Sequence, residues 1–209
     1  TRIEHDAFRY CSGLTNITIP DGVIDIEYCA FSGCYGLTSI NLPGDLFSIG
    51  IEAFGKCDHL TSVTLPDSVA SIGDRAFYGC AGLTEITLPN SLALIGYDVF
   101  GGCSSLRSVT LLNDLSYFSA GWVFGDGTCE NLTSVVIGDG GTHIGDNAFA
   151  KCGSLSSITI PDGVTFIGDR AFYGCANLTE ITLPNSLALI GCDVFGGCSS
   201  LRSVTLLND

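Results

Sequence analysis

The sequence predicts a β-rich repeat solenoid, and three observations carry that prediction. Leucines recur at Leu14, Leu37, Leu60, Leu83, Leu106, Leu132, Leu155, Leu178 and Leu201, 23 residues apart except for one interval of 26. Cysteines keep the same intervals through Cys11, Cys34, Cys57, Cys80, Cys103, Cys129, Cys152, Cys175 and Cys198. Residues 83–114 return as 178–209 with a single change, Tyr97 to Cys192. A unit this short has about six apolar positions and cannot enclose them alone, so stacked neighbours must complete the core.

The repeat over residues 60–82, LTSVTLPDSVASIGDRAFYGCAG, shows why each element should form. LTSVTL alternates, which sends Val63 and Leu65 to one side of a strand and Ser62 and Thr64 to the other. Pro66 cannot donate to a ladder, so pairing should stop there. Val69 and Ile72 re-enter the interior as a second short strand. Gly73-Asp74 then turns the chain, with Asp74 placed to cap one helical turn carrying Ala76 and Phe77. Gly79-Cys80 leads into the next coil.

The resulting pattern, L-x-x-h-x-h-P-x-x-h-x-x-I-G-x-x-A-F-x-x-C-x-x with h apolar, resembles the leucine-rich repeat of the BspA-like, or Treponema pallidum, class. The resemblance covers essentially the whole chain in nine registers. It implies a leucine-rich repeat superhelix with a parallel concave sheet and short helical or second-strand segments in each coil, running as a single array over residues 1–209. The departures sit together. Repeat 106–131 carries three extra residues, Leu112 and Gly138 stand where proline is usual, Gly141 takes an apolar position, and Trp122 is the only tryptophan. Because the chain opens inside one repeat and closes inside another, it is expected to be a piece of a longer array.

Composition narrows the function classes. No apolar run reaches the roughly 18 residues that cross a bilayer, so no membrane insertion is expected. A net charge of −14 repels phosphates and argues against nucleic acid and anionic membranes as partners. Asp21, Asp67, Asp74, Asp139, Asp146, Asp162 and Asp169 fall near turns, where they keep a repeat array soluble and protect its edges. No D-x-D-x-D-G loop accompanies them.

Nine of the eleven cysteines come once per coil and are expected to stack as a buried column of free thiols. Rungs about 4.8 Å apart bring them close, but parallel side-chain directions argue against bridges. The lack of any C-x-x-C pair argues against zinc. Cys29 and Cys192 fall outside the column and are expected to be exposed, reactive thiols. His5, His59 and His143 occupy different registers, which excludes a shared metal site or relay among them. Neither a nucleophile elbow nor a phosphate-binding fingerprint is present. The expectation is a non-enzyme without cofactors.

Binding is then left to the surface. The outward strand positions Ser62, Thr64, Glu85, Thr87, Ser108, Thr110, Glu180 and Thr182 make a carpet of small hydroxyls with two carboxylates. In the irregular segment 112–127, Phe118 and Phe124 are expected to replace the template's Ile and Phe in the core, leaving Tyr117 and Trp122 as candidate contacts. These positions suit a protein ligand held by avidity over equivalent coils. The resemblance implies a secreted or cell-surface binding or adhesion scaffold. Two alternatives use the same features: a structural subunit of a larger assembly, and an ice-binding hydroxyl lattice. Sequons at Asn16, Asn131 and Asn177 are compatible with secretion.

Overall fold

A computed structural model describes residues 1–112, 120–125 and 129–206 of the chain. The described residues fall into two compact units, the first of residues 1–106 and 123–125, the second of 107–112, 120–122 and 129–206. Each is a parallel β-solenoid built from coils with two strand positions.

In the first unit, the second strand position of each coil builds one five-stranded sheet. It comprises β1 (Arg2–Ile3), β3 (Asp25–Ile26), β5 (Ser48–Ile49), β6 (Ser71–Ile72) and β8 (Leu94–Ile95) in that order. The register advances by one repeat at each step, so Ile3, Ile26, Ile49, Ile72 and Ile95 stand side by side. The first strand position gives β2 (Asn16–Thr18), paired with β4 (Ser39–Asn41), and β7 (Glu85–Leu88). Residues 61–66 keep the alternating burial of a strand but form no ladder. Ser62 and Thr64 therefore point outward, as expected, without belonging to a strand.

In the second unit, β9 (Ser108–Leu111), β10 (Ser134–Ile137) and β12 (Ser157–Thr159) pair in parallel. So do β11 (His143–Ile144), β13 (Phe166–Ile167) and β15 (Leu189–Ile190), and separately β14 (Glu180–Leu183) with β16 (Ser203–Leu206). Helical elements among the described residues include one turn, α1 (Ala120–Val123), and a 3-10 turn at Cys129–Asn131. Among the described residues, no helix is long and apolar enough to cross a membrane.

The core is columnar because identical positions stack. Phe8, Phe31, Phe54, Phe77, Phe100 and Phe124 lie with ring centroids 5.0 to 5.7 Å apart, and Phe149, Phe172 and Phe195 repeat the column in the second unit. Phe124 thus takes the template phenylalanine position, as the sequence predicts, while Phe118 lies outside the described residues. The coils approach so closely that a Cβ on Gly73 would sit 2.7 Å from the Ile51 amide nitrogen, which explains the glycine after Ile72.

The expected helical turn after Gly73 does not form. Arg75, Phe77 and Gly79 donate their N–H groups to Tyr97, Val99 and Gly101 of the next coil, while Ala76, Tyr78 and Cys80 donate back within their own coil. Alternate amides therefore stitch coil to coil, which a helix would have used internally. Asp74 is no helix cap either. Its Oδ1 accepts the Tyr97 amide at 2.8 Å, and Asp169 accepts that of Cys192 at 2.7 Å, so each carboxylate closes the turn of the following coil.

This turn geometry places two left-handed residues in each coil. At the first register stand Asp6, Cys29, Glu52, Arg75 and Asp98, then Asn147, Arg170 and Asp193, all with φ between 53° and 58°. None is glycine, although the left-handed region favours it. Their side chains make contacts that glycine could not: Arg75 Nε lies 3.3 Å from Asp98 Oδ2, Arg170 Nε 3.5 Å from Asp193 Oδ2, and the Cys29 thiol donates to Glu52 Oε2 at 3.7 Å. The second register is mostly glycine but holds Tyr10, Lys56 and Lys151.

The thiols depart from expectation in two respects. Cys29, expected to be exposed, is fully buried, with its thiol donating to Glu52 of the next coil. Cys192 is exposed, as expected. Within the column, Cys34, Cys57, Cys80 and Cys103 each aim the thiol at the carbonyl of the phenylalanine 26 residues earlier, 3.1 to 3.4 Å away, and so not at one another. Cys129 and Cys152 break that rule and form a disulfide across a Cα separation of 4.9 Å. Cys129 opens the 3-10 turn that closes the irregular repeat, so its backbone differs from that of the other rungs. Cys11 at the first coil is exposed, and Cys198 is half-buried.

Candidate functional site

The alternating strands decide which side chains reach solvent. In β7 and β14, Ile86, Leu88, Ile181 and Leu183 are buried while Glu85, Thr87, Glu180 and Thr182 are exposed. Ser108 and Thr110 of β9 are half-buried. Among the described residues, the side chains of all eight outward candidates, Ser62 and Thr64 included, make no hydrogen bond within the chain. Their donors and acceptors remain open to a partner.

A neighbouring set of hydroxyls behaves differently. Thr38 Oγ1 donates to the Thr15 carbonyl at 3.0 Å, Thr133 Oγ1 to that of Arg107 at 3.2 Å, and Ser156 Oγ to that of Thr133 at 3.1 Å. Ser68, Ser91 and Ser186 likewise bond carbonyls one coil back at 2.6 to 2.7 Å. The abundance of Ser and Thr thus divides into a structural set, tied between coils, and the outward strand set.

In the second unit the outward face acquires relief. The strand ladder joins β12 to β10 and β14 to β16 but does not join β12 to β14. Over that gap lies a depression of about 340 Å³, with Ile158, Ile160 and Ile181 on its floor and Ser157, Thr159, Glu180, Thr182 and Thr205 around it. The structure thereby brings Glu180 and Thr182 together with an apolar patch. Trp122, in α1, is 55% exposed. Tyr117, the other candidate in the irregular segment, lies outside the described residues.

Chemistry elsewhere is sparse. Burial pushes the Cys34, Cys103 and Cys175 thiols up to about 12, which keeps them protonated and unreactive at neutral pH. One group of possible metal ligands, Glu4, His5 and Glu27, has its ligand atoms within 4.8 Å of one another. Sequence spacing missed it because Glu27 comes from the next coil. It is largely exposed, and Arg2 already holds Glu27 Oε1 at 2.7 Å.

Comparison with known proteins places this arrangement. No curated protein matches the chain. A leucine rich cell surface protein from Faecalibacterium prausnitzii A2-165 is similar in structure, with 30% identity, a TM-score of 0.54, and coverage of 100% of this chain and 70% of its own. The Treponema pallidum leucine-rich repeat protein is 31% identical with a TM-score of 0.56, covering 93% of this chain and 81% of its own. A leucine-rich repeat protein from Bacteroides ovatus is 26% identical with a TM-score of 0.51, covering 99% and 77%. The family model described as the BspA type leucine rich repeat region matches residues 1–125 and 122–209 in six copies. The chain, whose stacked coils, columnar core and uncommitted strand face all follow from its 23-residue period, belongs to the BspA-type leucine-rich repeat family.

Proposed function

We propose that the chain is a non-catalytic protein-binding or adhesion scaffold at a cell surface, and that it binds through the outward strand face. The observation that carries this reading is the depression between β12 and β14. There, side chains with no partner of their own surround an isoleucine floor, giving a partner both apolar contact and orienting hydrogen bonds. The printed description of the Faecalibacterium prausnitzii relative as a cell surface protein supports the location. Ser62, Thr64, Glu85, Thr87, Ser108 and Thr110 extend the same chemistry as weaker, repeated contacts. Trp122 offers a separate aromatic anchor.

The test is capture of surface proteins from the source cell's neighbours on the immobilised chain, with Glu180→Arg and Thr182→Arg as exposed variants that leave the core intact. Binding that survives both variants sinks the strand-face reading. Trp122→Ala should leave stability unchanged and weaken capture by about 2 kcal/mol if the ring is an anchor.

A second reading, an assembly subunit, is favoured by the exposed apolar side chains Ile24, Phe47 and Leu94 beside the five-stranded sheet of the first unit. A stoichiometric complex on gel filtration, abolished by Phe47→Asp, would support it over adhesion.

A further inference from the structure

The turn side of the first unit carries a feature that the strand-face reading does not use. At one register, four successive coils present Arg9, Ser32, Gly55 and Tyr78; at the next they present Tyr10, Gly33, Lys56 and Gly79. Large side chains at the two ends of the first register, with Ser32 and Gly55 between them, leave a cleft of about 230 Å³. Ser32 and Gly55 form its floor, Arg9 and Tyr10 one wall, and Arg75 and Tyr78 the other, with Glu52 and Lys56 between. A Cβ on Gly55 would lie 3.6 Å from Ser32 Oγ, so the serine hydroxyl faces the space that the glycine leaves.

The cleft gathers cations that are scarce elsewhere in this acidic chain, with Asp6 and Asp98 holding two of them from outside its lining. The sequence has eight Lys and Arg against 22 Asp and Glu, and three of the eight cations meet here. Two are held in place. Arg9 Nη1 donates to Asp6 Oδ1 at 3.0 Å, and its guanidinium lies 5.0 Å from the Tyr10 ring centroid. Arg75 Nε donates to Asp98 Oδ2 at 3.3 Å, and its guanidinium lies 5.5 Å from the Tyr78 ring. Each guanidinium retains further N–H donors beyond these contacts. Lys56 makes no ion pair among the described residues. The arrangement is a pre-ordered set of cationic donors with a hydroxyl floor and one carboxylate acceptor, Glu52.

Three properties select the ligand. A long polyanion is excluded by the acidic surface outside the cleft, where attraction at one point would be outweighed by repulsion along the rest. No aliphatic side chain lines the cleft, so it lacks the apolar pocket that the last residue of a peptide would fill. The volume admits a small polar group and the lining offers both donors and acceptors. We propose that this cleft binds a single carboxylated sugar ring, with its carboxylate held by Lys56 and Arg75 and its hydroxyls by Ser32, Glu52 and the tyrosine hydroxyls. Such a ring occurs both as a free acid sugar and as the end of a glycan, and the same contacts serve either.

The experiment is an amide-resolved NMR titration of the full chain. The probes are glucuronic acid, N-acetylneuraminic acid and sialyllactose, with glucose, lactose, acetate and a short peptide ending in aspartate as controls. The carboxylated sugars should shift the Ser32, Gly55 and Lys56 amides saturably. A stronger response to sialyllactose than to the free acids assigns the site to glycan ends, and the reverse to free sugars. Lys56→Asn keeps a residue type that tolerates the φ of 57° at this position and should weaken binding about tenfold. Equal binding of glucose or acetate, tighter binding of the peptide, shifts that map away from these amides, or an unchanged Lys56→Asn affinity would each overturn the proposal. Should that variant not fold, the wild-type map and the ranking of probes decide the matter by themselves.

Discussion

Residues 94–106 and 189–201 are the same sequence apart from Tyr97 and Cys192, yet they live in different surroundings. Phe100, Cys103 and Leu106 are fully buried, whereas Phe195, Cys198 and Leu201 are only half-buried. Asp98 has a side chain 11% exposed where it meets Arg75, while Asp193 is 47% exposed where it meets Arg170. The local geometry is nevertheless shared: both aspartates have φ of 58° and both contact the arginine one coil back. In the first unit, Phe124 stacks on Phe100 at 5.7 Å and Gly125 lies over the Asp98 carboxylate. The turn conformation is common to both copies, and the coils packed on each copy set how dry it is.

The largest test of that difference is a matched pair of truncations. Phe100→Ala should cost about 3–5 kcal/mol in denaturant unfolding, because it leaves a hole between two stacked rings. Phe195→Ala should cost less than half as much; equal losses would remove the distinction. Next comes the single cross-link. Cys129→Ser should cost about 3 kcal/mol, as expected for opening a loop of this length, whereas Cys57→Ser should show only the smaller penalty of a polar atom in the column. Under denaturing, non-reducing conditions nine of the eleven cysteines should titrate as free thiols.

A third test uses proton affinity. Burial raises the Cys103 thiol to about 12 from an ordinary value of 9.0, and it raises Cys198 as well, though Cys198 is less enclosed. Unfolded thiols ionise near pH 9 while folded ones hold their protons, so the unfolded chain binds fewer protons and stability should fall as pH rises from about 9 to 12. Alkylation at pH 8 should label the exposed Cys11 and Cys192 first, and Cys198 before Cys103. The smallest effect is electrostatic. Asp98→Asn should cost about 1 kcal/mol, and Asp193→Asn close to nothing, since solvent already screens that pair and asparagine tolerates the φ of 58° at both positions.

Much of the architecture was legible in the chain. The spacing of Leu, Ile, Phe and Cys located the buried columns, alternation in LTSVTL located the inward and outward faces, and Pro66 and its equivalents marked where pairing stops. The outward candidates were legible for the same reason, because period-2 exposure needs no knowledge of neighbours. Other features were not legible. The role of Asp74 depends on the Tyr97 amide that the next coil brings to it. The burial of Cys29 depends on Glu52, which the next coil brings against its thiol. The Cys129–Cys152 bridge accompanies a 3-10 turn inside the irregular repeat, which the 23-residue template does not contain. The cleft at Lys56 is visible as small residues at one register only once the coils are known to stack there without a helix.

The sequence alone determined the period, the residues that face inward, and the impossibility of any one coil standing by itself. Those are consequences of covalent order and of apolar side chains that must leave water. Only the tertiary structure decided which carboxylate closes which turn, which thiols meet, where the strand ladder parts and where cations gather. Each of these rests on atoms about one repeat apart in the chain and a few ångströms apart in space, and that distance is set by packing between coils.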